Sequence, residues 1–370
     1  MRIGINTRSL LGSKMEGFGN YTLELVLRIS EAHPEHQFIL YFDRPVDPQF
    51  KFGTNVCAEV VFPPTRHPLL YIWWFQLTLK RKIKKDQIDV FWSPDGMIPL
   101  GLKIPTLASI HDLNFEHFPK DLPWVVSKYY RYFFPKFAKQ ATKIITVSQT
   151  TKQDIIACYQ IAEDQISVIY NGVNQLYKPF NSSEKAQFIS DQSLPKNYFL
   201  FVGSLHPRKN INRLLDAFQQ LALTDTDIEL VIVGSAMWDA QKFDLQTEQV
   251  KRIHFLGHVD TQRLAQIMAA ATAFVYIPYF EGFGMPLAEA MATQTPILAG
   301  NKSCLPEIAA DAALYTDPFN IEDIANGMQQ IKNDVALQTE LKKKGLERVK
   351  AFDWDHAAKL VWQEIKSLVS

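Results

Sequence analysis

Cysteine is scarce in this 370-residue chain. The three present, Cys57, Cys158 and Cys304, are scattered and match no zinc or disulfide spacing, which points to a reducing compartment. Net charge is lacking too: 39 Lys and Arg offset 39 Asp and Glu, so no basic field favours nucleic acid as a partner. No apolar run approaches the roughly 18 residues that span a bilayer. The chain enters a strand at once with Met1-Arg2-Ile3-Gly4-Ile5-Asn6, so no signal peptide is evident and a cytoplasmic location is expected. Internal repeats and low-complexity tracts are absent. Also missing is Gly-x-Gly-x-x-Gly directly after a strand, which argues against a dinucleotide-dependent oxidoreductase.

What is present is a regular rhythm. Short apolar strands alternate with helical patterns, the mark of βαβ units and parallel sheets. In the first half, strands are expected at Arg2–Asn6, Gln37–Phe42, Val56–Phe62, Val90–Trp92, Thr106–Ile110, Lys143–Val147 and Ile166–Ile169. A polar segment from Lys178 to Lys196 reads as the linker region. The rhythm restarts at Tyr198–Val202, Glu229–Val233, Arg252–Phe255, Phe274–Ile277 and Pro296–Leu298, and a last helix runs from about His356 to Leu368. The length suits two domains, each with its own core.

The most informative stretch is Pro278-Tyr279-Phe280-Glu281-Gly282-Phe283-Gly284-Met285-Pro286-Leu287-Ala288-Glu289. It joins a buried strand to a strong helix former with Pro at its start. Glu281 then sits at the mouth of the sheet, and Gly284 lets a ligand approach the backbone. The helix start offers N–H groups to an anion. Glu289 follows about one turn on. Two acceptor-only carboxylates flanking an anion site suit a ligand with hydroxyls at both ends and phosphate in the middle, the layout of a nucleotide sugar. An ordinary crossover with two solvated glutamates would need neither the two glycines nor Phe283.

Glu281 and Glu289, with seven residues between them that include Phe-Gly-Met-Pro, resemble the signature of the family 4 retaining glycosyltransferases. The resemblance covers nearly the whole chain. It implies an α/β fold of two Rossmann-like domains facing a cleft, the GT-B architecture. Residues 1–175 would form the acceptor domain, joined by a C-terminal helix over 355–370, and 176–354 the nucleotide-sugar donor domain. Glu281 would bind hydroxyls of the donor sugar and Glu289 those of the ribose. Phe283, Gly284, Met285 and Leu287 belong to the same donor-binding stretch. The implied reaction retains anomeric configuration and requires no metal or other cofactor.

Other motifs fit this frame to different degrees. Phe201-Val202-Gly203-Ser204-Leu205-His206-Pro207-Arg208-Lys209-Asn210 is a strand, a Gly turn and two cations before a helix. Cations there oppose the helix dipole, which makes sense if a diphosphate lies between them and the helix. The family pattern is also strand, Gly, short loop, Lys. Many members carry Arg directly after the Gly, where this chain has Ser204, so Arg208 stands in for it beside Lys209. His111-Asp112 ends a strand of the first half, where open α/β sheets bind ligands. A lone His is more often structural; the resemblance assigns His111 to the transferred sugar and Asp112 to its support. Gly17 and Gly19 follow strand one in a loop that suits close approach by phosphate, or a plain flexible connection. In the family the matching loop closes over the donor diphosphate. Ser148 reads equally as a helix N-cap or a ligand contact, and Val259 marks backbone that meets the base in similar proteins.

The run Tyr71 to Lys85 is aromatic and then basic. Its first reading is a core helix with a solvated basic end, and its second a helix lying on an anionic membrane surface. Asp225-Thr226-Asp227 reads as a solvated turn. The expected function is therefore glycosyl transfer, with GDP-mannose as first donor and a UDP-sugar as second, to a saccharide or lipid-linked acceptor. The similarity to bacterial mannosyltransferases of surface polysaccharide suggests the inner membrane as the place of work. A nucleotide-sugar epimerase and a non-catalytic nucleotide-sugar binding protein are the alternatives.

Overall fold

The computed structural model describes residues 1–12, 15, 17–65, 67–234 and 252–369. The chain divides into two compact units. Unit 1 comprises Met1–Gly172 with Asp353–Ser370, and unit 2 comprises Val173–Phe352.

Unit 1 is built on seven parallel strands: β1 (Arg2–Asn6), β2 (Gln37–Phe42), β3 (Val56–Val60), β4 (Val90–Ser93), β5 (Thr106–Ile110), β6 (Lys143–Thr146) and β7 (Ile166–Val168). Their order is β3-β2-β1-β4-β5-β6-β7. The order reverses between β1 and β4, which pair directly (Ile3 beside Val90, Ile5 beside Trp92). Strands β4 and β5 are buried along their whole length, as a sheet covered on both faces requires. The last helix, Trp354–Ser367, packs on this unit. Trp362 stacks on His33 with centroids 3.9 Å apart, and Ser167 donates to Glu364 at 2.6 Å. A Cβ on Gly172 would lie 2.2 Å from the Trp354 nitrogen, so the chain passes closely where this helix begins.

Unit 2 repeats the plan with β8 (Tyr198–Val202), β9 (Glu229–Val233), β10 (Ile253–Gly257), β11 (Ala273–Tyr276), β12 (Ile297–Gly300) and β13 (Leu314–Thr316), ordered β10-β9-β8-β11-β12-β13. Here the reversal falls between β8 and β11. Both units thus have the doubly wound α/β topology, in which ligands bind beyond the carboxyl ends of the strands at the reversal.

Four local readings change. Residues 178–196 are not a plain linker: a helix covers Ser182–Asp191, closed by an Asn181–Glu184 capping box, and it belongs to unit 2. Its lack of any buried residue hid it from a pattern read by hydrophobicity. Gly17 and Gly19 lie in the first turn of the helix Gly17–Ala32, not in a loop before it. There Thr22 donates to the Phe18 carbonyl at 2.7 Å. In the signature helix Met285 comes first and Pro286 second. Finally, the 71–85 run is one continuous helical path. Pro68–Trp73 leads into a π-helical stretch, Trp74–Leu79, and then into Lys80–Lys85. Trp74, Phe75, Leu79 and Ile83 are core, while Leu69, Trp73 and Leu77 face out.

Candidate active site

Unit 2 gathers its charged groups at the reversal between β8 and β11. After β8 the chain turns at Gly203, whose N–H donates to the Val233 carbonyl at 2.9 Å. A short 3-10 turn, Pro207–Lys209, follows, and His206 caps it by accepting from the Arg208 N–H. Asn210 adopts a left-handed conformation (φ 62°) and its amide donates to the carbonyls of Ile277 and Pro318, at 3.1 and 2.6 Å. That amide ties the loop after β8 to the end of β11. It fixes where the two preceding cations point.

Both cations meet Glu281. Lys209 Nζ lies 2.5 Å from one carboxylate oxygen and Arg208 Nη1 3.0 Å from the other. Lys209 also donates to the Tyr276 hydroxyl at 2.6 Å. Lys209 and Glu281 are only 8% and 7% exposed, so their charges interact with little screening by water. Burial pushes the Glu281 carboxyl up, but Arg208 and Lys209 outweigh it and hold the group below its ordinary value. Tyr276 is pushed far upward by burial and by the Glu281 charge, and stays a neutral phenol. The Glu281 backbone is held as well: Ser303 Oγ donates to its carbonyl at 2.6 Å. Tyr276 and Asn210 were not singled out from sequence. The one reads as an interior strand residue, the other as a turn former.

The helix Met285–Ala292 starts from Gly284 at φ 81°, a left-handed position that a side chain rarely tolerates. Phe283 is buried and packs edge-on against Phe352 at 5.3 Å. Leu287 is fully buried and its N–H is spent on the Gly284 carbonyl at 2.9 Å, so its side chain supports the helix start from beneath. Glu289 is half-buried. Burial pushes its carboxyl up to about 7, and a hydrogen bond with Tyr177 only partly opposes this. Val259 lies in the turn after β10, next to Asp260, which caps the helix Thr261–Ala270.

In unit 1, His111 follows β5 half-buried, edge-on to Phe18 and Tyr21 at 4.7 and 4.5 Å. Its Nε2 lies 2.7 Å from the Pro94 carbonyl. A carbonyl only accepts, so Nε2 carries the proton and Nδ1 is left as an acceptor. Burial lowers the ring's pKa, though the Pro94 carbonyl works the other way. Asp112 accepts from the Asn114 N–H at 3.0 Å and so starts the next turn. Ser148 is fully buried and caps the helix Gln149–Tyr159, accepting from the Thr151 N–H at 3.1 Å. Gly19 is needed for packing, because a Cβ there would lie 2.8 Å from the Ser9 carbonyl; at Gly17 a Cβ would meet nothing.

Among the described residues, one group has the composition of a metal site: His117, Asp154 and Cys158. Desolvation and the neighbouring Asp154 charge push the Cys158 thiol up to about 11, which keeps it protonated at neutral pH. The Asp-x-Asp pair is not simply solvated: Asp225 forms an ion pair with Lys332, and Asp227 accepts from Asn197 at 3.0 Å.

Two family models divide the chain between them. "Glycosyltransferase Family 4" matches residues 15–175 and "Glycosyl transferases group 1" matches 182–348. The chain belongs to the family 4 glycosyltransferases. This glycosyltransferase is 28% identical to O-antigen chain mannosyltransferase B of Escherichia coli, over 92% of its own length and 93% of the relative's. Sucrose-phosphate synthase of Thermosynechococcus elongatus shares its fold with a TM-score of 0.80 at 20% identity, covering 99% and 98% of the two chains. HepE of Anabaena, solved with UDP-glucose, does so with a TM-score of 0.75 at 19% identity, covering 99% of this glycosyltransferase and 100% of HepE. The fold is that of the GT-B glycosyltransferases.

Proposed function

We propose that this glycosyltransferase moves a mannosyl group from GDP-mannose to a saccharide acceptor, with retention of configuration and without a metal. The observation that carries the reading is Glu281 held between Lys209 and Arg208 at the carboxyl edge of the unit 2 sheet. Two cations and a helix start supply the positive charge that a departing diphosphate needs, which makes a metal dispensable. On this reading the diphosphate takes hydrogen bonds from Arg208, Lys209 and backbone near Met285, while Gly203 leaves room for it. Glu281 accepts from donor-sugar hydroxyls and Glu289 from the ribose. The neutral His111, with Asp112 beside it, serves the transferred sugar and favours positive charge developing at the anomeric carbon.

The mannosyl assignment rests on the named Escherichia coli relative, an O-antigen chain mannosyltransferase. The HepE complex with UDP-glucose supports a UDP-sugar as the second candidate. The same relative's O-antigen chain supports a saccharide as acceptor; that the saccharide is lipid-linked and that the work is done at the inner membrane belong to the proposal. No helix among the described residues is long and apolar enough to cross a membrane. Two exposed stripes favour peripheral contact instead. Leu69, Trp73 and Leu77 recur every four residues on one helical path. On the helix Trp124–Gln140, Trp124 and Tyr132 alternate with Lys128 and Lys136, whose ammonium groups lie 3.9 and 3.2 Å from those ring centres. Aromatic rings interleaved with lysines suit the interface of an anionic bilayer.

The test is calorimetric titration with GDP, UDP, ADP and NAD in the absence of metal, followed by NMR assignment of the product anomer. Tight binding of GDP and an α-mannoside product would establish the reading. Binding of NAD alone would overturn it. Conversion of the donor with no acceptor present would point to an epimerase.

A further inference from the structure

The topological reversal in unit 1 carries its own buried ion pair. Arg8 follows β1 and Asp95 follows β4, the two strands between which the order reverses. Arg8 Nε donates to Asp95 Oδ2 at 2.7 Å, and the side chains are only 15% and 7% exposed. Asp95 is saturated: its Oδ1 also accepts from Asn6, Ser93 and the Met97 N–H, at 2.8, 3.0 and 3.1 Å. Arg8 is not. Beyond Nε, the one hydrogen bond of its guanidinium among the described residues runs from Nη2 to the Met97 sulfur at 3.4 Å, a weak acceptor. A guanidinium pinned by one edge presents its remaining N–H groups in a fixed direction.

Aromatic rings surround that guanidinium. It lies over Tyr71 at 5.0 Å and Phe75 at 5.7 Å. Tyr129 packs on Tyr71 with centroids 5.5 Å apart and on Tyr130 at 5.8 Å. The Tyr129 hydroxyl is within electrostatic reach of Arg8, Tyr130, Asp95 and Tyr71. It is buried, on a residue 6% exposed, and among the described residues it has no hydrogen-bond partner. Leaving a buried hydroxyl without a partner costs free energy, a cost that a hydrogen bond to a bound ligand would remove.

We propose that Arg8, Tyr71, Tyr129 and Tyr130 form a subsite of unit 1 for an uncharged, hydroxylated sugar ring of the acceptor. The inference rests on the glycosyltransfer reading and names the chemistry of its second substrate. Ring faces suit the apolar face of a sugar, while Arg8 and Tyr129 supply directed hydrogen bonds to its hydroxyls. Charge balance selects against an anion. Arg8 is already matched by Asp95, and nearby Arg44 is matched by Asp43 through two bonds of 2.7 and 2.8 Å. Among the described residues a phosphate group would find no surplus positive charge there.

The experiment is saturation-transfer NMR of uncharged p-nitrophenyl hexosides, the α-mannoside first, with full-length wild type and Tyr129→Phe. It is followed by donor and acceptor kinetics with GDP-mannose. Losing one neutral hydrogen bond should weaken glycoside binding about 3- to 10-fold. Acceptor KM should rise by the same factor, more than the KM for GDP-mannose does. The melting temperature should hold or rise, because the variant removes an unmet polar group; a purely structural hydroxyl would lower it. Equal glycoside affinity in the two proteins, no glycoside binding by wild type, or displacement of bound glycoside by inorganic pyrophosphate overturns the subsite. Binding that weakens in Tyr129→Phe while no sugar nucleotide is consumed leaves the subsite standing and refutes the transfer reading.

Discussion

Nucleoside diphosphate should bind about tenfold more weakly at pH 6 than at pH 8 through Glu289 alone. The empty protein holds this carboxyl at about 7, because burial penalises its charge and Tyr177 only partly compensates. Ribose hydroxyls are donors, so binding them favours the ionised carboxylate. If the bound group titrates below 5, the apparent Kd scales as one plus ten to the power of (7 − pH), about 11 at pH 6, 2 at pH 7 and 1.1 at pH 8. The change is worth about 1.4 kcal/mol. The ligand's own phosphate also titrates near pH 6, so the comparison must be with Glu289→Gln, which carries that phosphate effect alone. Calorimetric titrations of both proteins with GDP and UDP from pH 6 to 8 give the ratio of affinities. In wild type the protein should release about half a proton on binding at pH 7, visible as a dependence on buffer ionisation heat. The same shift predicts stability. The unfolded carboxyl ionises near its ordinary value, the folded one near 7, so the folded state is penalised as pH rises through that window. Glu289→Gln should therefore melt higher than wild type above pH 7 and at the same temperature near pH 4. A flat affinity ratio across the range, or Glu289→Gln binding as tightly as wild type at pH 8, would refute the ribose role.

Other perturbations bear on the remaining groups. Lys209→Ala should lower turnover by about 100-fold or more, since it removes a preorganised charge from the diphosphate position; near-normal steady-state turnover would take Lys209 out of that role. A chelator such as EDTA should leave the turnover of metal-free protein unchanged, and stimulation by magnesium in the same assay would contradict a site charged by Arg208 and Lys209 alone. Trp73→Ser combined with Trp124→Ser should reduce co-sedimentation with vesicles containing anionic lipid and leave GDP binding intact. Equal sedimentation of variant and wild type would assign those rings to another partner.

Most strands were legible because they are short buried runs. Tyr198–Val202 and Thr106–Ile110 are buried from end to end and begin and end where expected. Strand β13 escaped notice because Leu314–Thr316 is three residues long and mostly half-buried, leaving no hydrophobic signal. The helix Ser182–Asp191 was hidden for the opposite reason: its signal lies in Asn181 and Glu184, not in periodicity. Among the candidate site residues, Arg208, Lys209 and Glu281 stood out because their charges conflict with local preference. Their neighbours Tyr276, Asn210 and Tyr177 did not. A tyrosine in a strand and an asparagine in a turn satisfy local rules, and only the tertiary structure shows that Tyr276 meets Lys209 and that Asn210 ties its loop to the Ile277 and Pro318 carbonyls. The Arg8–Asp95 pair lies 87 positions apart in sequence. Nothing local marks it, since strand order alone brings the two together.

The placement of the last helix bears on how the protein is made. Trp354–Ser367 covers unit 1, yet it is translated after all of unit 2. During synthesis the first sheet emerges from the ribosome without the partners of His33, Arg28 and Ser167, which are Trp362, Asp355 and Glu364. Unit 2 has every residue it needs before that helix leaves the exit tunnel. The nascent chain can therefore complete its second-encoded unit first, while the unit begun first waits with an uncovered flank. A chaperone that shields apolar surface on nascent chains would find that flank exposed for as long as residues 173–352 take to be made.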